Sequence, residues 1–278
     1  MTLLETFFLI SAVALYAAAL FSARKGRLRY ASGALVAGLA FHLATAVVRW
    51  IGTGHPPIFG TYEAALSASW FLLLFVALAF GSAHGHFRLV VLTSVPIGLL
   101  LLLYGVSFNT ERMPLTISEM SLWVDIHALF AWLAFAPFTL ALCLSGFYLC
   151  AASGGEPRRE RMQPAARNPR LEIIDELAFR YINFGFINHT IMFALGCYYS
   201  SILFGTWWRW DPAFSISLVS WLLVALYIHM RLFYKWKGER AARFFAVIFA
   251  TVVFAYWGLT YLPAGSTFHV FDLDLKAL

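Results

Sequence analysis

Charge is scarce in this chain. Only 12% of its 278 residues are Asp, Glu, Lys or Arg, while 61% are hydrophobic. A soluble domain carries about 25% charged residues, so a water-soluble globular domain is excluded. Cysteine is scarcer still: Cys143, Cys150 and Cys197, all inside apolar runs. Without a Cys-x-x-Cys there is no thioredoxin-like redox pair, and without a Cys-x-x-Cys-His the chain is not itself a c-type cytochrome. No segment repeats at a period of about 20–50 residues, and no low-complexity stretch occurs. The first apolar run holds Glu5 and lacks a basic leader, which predicts a retained helix and not a cleaved signal.

What the chain has is apolar length. Eight runs, at roughly 3–22, 31–51, 63–83, 88–107, 124–151, 182–204, 213–234 and 243–262, approach or exceed the ~20 residues that cross a bilayer. The predicted fold is an all-α integral membrane protein, one polytopic domain over residues 1–278 with about eight transmembrane helices. The loops between runs alternate in charge. Sixteen of the 20 basic residues fall in one set of loops, including the long basic loop at 153–181; the other set holds only Arg49, Arg112, Arg209 and Lys276. By the positive-inside rule the rich set is cytoplasmic, which puts both termini outside. The same rule accounts for the net charge of +6, and no nucleic-acid partner is implied. Leu171, Ile174 and Leu177 keep helical spacing, which predicts a short amphipathic surface helix before the sixth span.

The expected outer side carries the unusual residues. Phe204-Gly-Thr-Trp-Trp-Arg-Trp-Asp-Pro212 joins two spans and packs Trp207, Trp208 and Trp210 beside Gly205 and Asp211. Indoles favour membrane interfaces, but anchoring needs one or two of them, and a plain turn would use Gly, Asn, Pro and Ser. A flat aromatic ligand explains the cluster better. His127 opens the fifth span and His269 lies in the tail on the same side. Two imidazoles can ligate a heme iron from opposite faces, so the set points to a porphyrin about as readily as to structural histidines. Arg49, Arg112 and Arg209 are guanidinium groups available to its propionates. Asp211 either orients a neighbour or caps the next helix. His42, His189 and His229 lie within spans, where ionisable groups are costly and often functional; His189 and His229 read as sharing one site near the cytoplasmic side. His84 and His86 read as solvated, and His55 as loop structure more than ligand contact.

These residues resemble a known family. Phe204-Gly-Thr-Trp-Trp-Arg-Trp-Asp211 is similar to the WWD signature of heme-handling proteins. Arg49-Trp-Ile-Gly-Thr-Gly-His-Pro-Pro-Ile-Phe-Gly-Thr-Tyr-Glu63, Trp123-Val-Asp-Ile-His127 and Tyr227-Ile-His-Met-Arg231 resemble motifs of its CcsA/ResC branch. The chain departs from the pattern at Phe204 and at Ala213-Phe214, and its loop also resembles the six-helix CcmC branch. The CcsA resemblance implies a system II cytochrome c synthase component of a bacterial inner membrane. Heme b would cross the bilayer by way of His229, with a histidine of a CcsB/ResB-like partner, or failing that His189, as second ligand. It would then be held outside by His127 and His269 for thioether attachment to the C-x-x-C-H of apocytochrome c. A CcmC-like heme delivery protein without ligation chemistry, or a subunit with a resident heme, is the alternative.

Overall fold

The computed structural model describes residues 1–82, 86–108, 110–112, 115, 119–153 and 169–261. His84, His269, the tail from 262 and most of the basic loop lie outside the described residues.

Among the described residues eight α-helices follow one another: α1 (Leu3–Arg24), α2 (Leu28–Thr53), α3 (Gly60–Ser82), α4 (Phe87–Val106), α5 (Leu122–Ser153), α6 (Pro169–Phe204), α7 (Pro212–Leu232) and α8 (Gly238–Tyr256), with a 3₁₀ turn at Gly258–Tyr261. Six of them, all but α6 and α8, are long and apolar enough to cross a membrane by length and composition. The other two carry charge in their first turns, Glu172 in α6 and Glu239 in α8.

The helices pair in chain order, α1 with α2, α3 with α4, and α5 with α6 along most of their length, while α8 lies between α5 and α7. Close approach in the α5–α6 pair needs a missing side chain: a Cβ on Gly185 would stand 2.6 Å from the Phe138 ring. Phe138, Phe245 and Tyr16 are among the largest fully buried side chains. A buried polar group is costly unless it finds a hydrogen bond, and several in the core do. His42 is one: its Nδ1 lies 3.0 Å from the Tyr16 hydroxyl, so it ties α2 to α1.

α6 differs from expectation. The amphipathic stretch is not a separate surface helix; it is the first part of one continuous helix of 36 residues. No Pro or Gly interrupts residues 170–184, and Ile174, Ala178 and Ile182 stay buried on one face throughout. At 1.5 Å per residue the helix is about 54 Å long, against ~30 Å of hydrocarbon, so it projects well beyond the other spans. His86 also differs: it is buried at the start of α4.

Candidate functional site: the tryptophan loop over His127

The loop from 205 to 211 is built by backbone chemistry. Gly205 takes the left-handed conformation after α6 (φ 70°), which glycine adopts without a Cβ penalty. The Ser200 hydroxyl donates to the Thr206 carbonyl at 2.8 Å, and the Thr206 hydroxyl donates to the Trp208 carbonyl at 2.5 Å. The loop thus doubles back along α6. Asp211 then caps α7: its Oδ1 accepts the Phe214 N–H at 3.0 Å and Pro212 fills the first helical position. Its other oxygen, Oδ2, is buried with no partner among the described residues.

The three tryptophans divide. Trp208 turns inward, edge-on to Phe214 at 5.5 Å and 6.2 Å from Phe193. Its indole N–H is buried with no partner among the described residues. Trp207 and Trp210 turn outward, 61% and 84% exposed. Trp207 continues an aromatic row through Tyr198 (5.9 Å) to Trp123 (4.7 Å).

Beneath the loop lies His127. Its Nδ1 is 2.9 Å from the Met192 carbonyl oxygen. A carbonyl only accepts, so the proton sits on Nδ1 and Nε2 is the basic nitrogen. A metal-ligating histidine is held in the same way, its second nitrogen donating to a fixed acceptor. Gly196 packs on the ring; a Cβ there would stand 3.2 Å from Cε1. His127, Met192, Phe193, Gly196, Phe214 and Ser217 line a cleft of about 30 Å³, room for about one water. With the loop seated this cleft is far smaller than a porphyrin. The donor set suits heme: an imidazole of fixed tautomer, flat aromatic faces and two unpaired polar atoms. Among the described residues no group of three or more His, Cys, Asp or Glu is placed to hold a bare metal ion.

The intramembrane histidines do not share a level. His189 is 1% exposed, with Nε2 3.3 Å from the Ser220 hydroxyl. Met192 is three residues along α6, so His189 sits only about 4.5 Å below the carbonyl that holds His127. His229 lies nine residues beyond Ser220, about 13.5 Å further down α7. Ser220 is eight residues, about 12 Å, from the start of α7, so His189 sits about midway between the tryptophan loop and His229, and the structure does not bring the two histidines into the one site expected of them. The His229 ring stacks on Phe233 at 4.6 Å. It is exposed on the α7 face that also shows Leu222, Leu226 and Phe233.

Comparison with known proteins decides the family. The model of the family described as "Cytochrome C assembly protein" matches residues 58–266. The chain belongs to this family. It is also similar to proteins named "Cytochrome c biogenesis protein CcsA". The one from Guillardia theta is 29% identical over 239 residues, 78% of this chain and 77% of the relative. That from Chlamydomonas reinhardtii is 27% identical over 79% of this chain and 62% of the relative, and that from Prochlorococcus marinus (strain MIT 9515) is 26% identical over 79% and 77%.

In this cytochrome c assembly protein the three expected propionate guanidiniums all have partners within the protein. Arg49, 2% exposed, donates to Glu63 at 2.7 Å and to the carbonyls of Thr110 and Glu111 at 2.7 and 2.8 Å. Arg112 donates to buried Glu5 at 2.9 Å. Both strap loops at the tryptophan-loop end of the bundle. Arg209 lies over the Phe204 ring at 4.1 Å. At the other end Arg231 meets Asp175 at 2.7 Å, and Asp175 also accepts the Gly238 N–H at 3.0 Å. Sequence reasoning missed this lock joining α6, α7 and α8, although a charge inside an apolar run is itself a signal that a partner exists.

Proposed function

We propose that this assembly protein takes up heme b at the level of His229, passes it towards the tryptophan loop, and presents it there between His127 and His269 for thioether attachment to the C-x-x-C-H of apocytochrome c. In this reading it is a component of a cytochrome c heme lyase. The observation that carries it is the tryptophan loop folded over a histidine whose proton is fixed on Nδ1 by the Met192 carbonyl. Trp207 and Trp210 supply apolar faces and dispersion to the porphyrin plane. His127 offers Nε2 to the iron and sets which edge meets the incoming peptide, so positioning is the main catalytic contribution.

The exposed imidazole of His229, on an otherwise apolar helix face, supports a membrane partner of the CcsB/ResB kind that covers it and brings a second ligand. Sixteen basic residues in one set of loops against four in the other support an orientation with the tryptophan loop external, as a bacterial inner-membrane protein of this kind would need. An optical spectrum of the purified protein tests the reading. Wild type should carry heme with the bands of a bis-imidazole iron. His127→Ala should lose the share of those bands that belongs to heme at the loop and regain it with added imidazole. Equal heme and an identical spectrum in the two would sink it.

A further inference from the structure

The loop between α2 and α3 holds a second imidazole prepared in the same way as His127. His55 Nδ1 lies 2.9 Å from the Pro56 carbonyl oxygen, so its proton is on Nδ1 and Nε2 is basic. That Nε2 is buried with no partner among the described residues, and the side chain is 11% exposed. On the Nδ1 side, Glu63 Oε2 stands 3.8 Å away. The carboxylate is itself held, by Arg49 at 2.7 Å and by the Phe59 N–H at 3.2 Å. Phe59 meets the ring edge-on at 5.3 Å. From α5, Asp125 lies near enough to feel the charge of the imidazole, two residues before His127. A basic nitrogen, a tautomer fixed by a carbonyl and a carboxylate beside the ring suit a general base.

We propose that His55, oriented by the Pro56 carbonyl with the Glu63 carboxylate beside it, is the acid–base residue of the thioether step, with a cysteine thiol of the apocytochrome as the group it serves. This rests on the ligation reading above. The thiol proton passes to His55 Nε2 as the S–H bond breaks. Sulfur bonds to the vinyl carbon next to the porphyrin ring, and the same proton returns from Nε2 to the terminal vinyl carbon. One C–S and one C–H bond form, the vinyl double bond becomes single, and no oxidant or reductant is consumed. Among the described residues the charged groups facing His55 are Glu63 from α3 and Asp125 from α5, with Arg49 of α2 behind Glu63.

The test uses the heme-loaded full-length protein, with its membrane partner where one copurifies, and a synthetic Cys-x-x-Cys-His peptide. Product is followed by mass and heme by its spectrum. In His55→Gln the heme content and spectrum should stay as in wild type, while the ligation rate falls by about 100-fold or more and the acid limb of the pH–rate profile disappears. His55→Gly should recover product when imidazole is added, with no change in the heme bands. Wild-type rate and pH profile in His55→Gln would overturn the proposal. So would joint loss of heme and product, which would make His55 a ligand or a structural residue. Wild-type protein that keeps heme but never forms a thioether would overturn the ligation reading itself, and this step with it.

Discussion

His127 Nδ1 and the Met192 carbonyl oxygen stand 2.9 Å apart across the α5–α6 interface. That bond fixes both the ring's orientation and its basic nitrogen. Gly196, one turn further along α6, leaves the ring its space. Gly196→Ala would set a Cβ 3.2 Å from Cε1 and 3.4 Å from Nδ1. The ring must then turn or shift, and heme affinity should fall by about tenfold, the scale of a disturbed ligand orienter. Gly185→Ala makes the contrast. It meets the Phe138 ring at 2.6 Å, so it should lower thermal stability while the protein that folds keeps its heme spectrum. Spectral titration beside thermal unfolding in detergent separates the two; unchanged heme affinity in Gly196→Ala would remove the glycine from the site.

Breaking the inner lock should be costly. Arg231 and Asp175 are 3% and 9% exposed, and truncating one partner of a buried ion pair costs about 3–5 kcal/mol because a charge is left alone. Arg231→Met should therefore unfold at clearly lower temperature. Asp175→Asn with Arg231→Met removes both charges and keeps an acceptor for the Gly238 N–H, so it should recover much of the loss. A single variant as stable as wild type would show that the pair holds nothing.

The eight helices were legible because apolar length is local information; each run declares itself without reference to its neighbours. The tryptophan loop and His127 were legible as an aromatic cluster and a histidine expected at one end of the bundle. Stagger between helices was not. The expectation for His189 counted residues from an assumed start near residue 182, whereas α6 starts at Pro169 and its far end overshoots α7. The loop folds back, so that Phe193 rather than the last turn of α6 meets Trp208. The roles of Arg49 and Arg112 were hidden for a similar reason: their carboxylate partners, Glu63 and Glu5, lie on other helices. Single-chain spacing shows that a buried charge needs a partner but not which one it finds.

The three loop tryptophans should separate by assay. Trp208 packs inward on Phe214 and Phe193, so Trp208→Ala should lower both stability and heme content. Trp207→Ala and Trp210→Ala remove exposed rings and should leave stability unchanged. Each should still lower heme occupancy, by roughly two- to tenfold for one aromatic contact. Trp236, packed on Phe244 and under Arg240 at the opposite end, is the control. Equal heme yields for Trp210→Ala and Trp236→Ala would return the loop to membrane anchoring.

Orientation follows from the basic residues. Single cysteines at Thr206 and Arg240, both exposed and on opposite ends of α7 and its turn, should label from opposite sides of sealed vesicles, Thr206→Cys from the external one. Labelling of both from one side would refute an odd number of crossings between them.

The last prediction concerns the route. His229 lies about 25 Å from the start of α7 at Pro212, while His127 lies under the loop at the other end. A porphyrin spans about half of the ~30 Å hydrocarbon layer, so one heme cannot meet both residues at once. If heme b enters at His229, the two positions fill in sequence and the first gates the second. His229→Ala should then deplete heme at both levels, whereas His127→Ala should leave heme at the inner level and lose the loop-end heme and the product. His189 tests the geometry between them. It lies about 13.5 Å from His229 along α7 but only about 4.5 Å from the level of Met192, so His189→Ala should leave inner heme untouched. Any effect should appear in heme at the loop end. Imidazole added during growth should restore inner heme to His229→Ala by occupying the vacated iron position. Heme content of the three variants, with and without imidazole, reads the order directly. Full heme and full product in His229→Ala would show that heme does not enter at this level, and inner heme lost in His189→Ala would bring those two histidines back to one site.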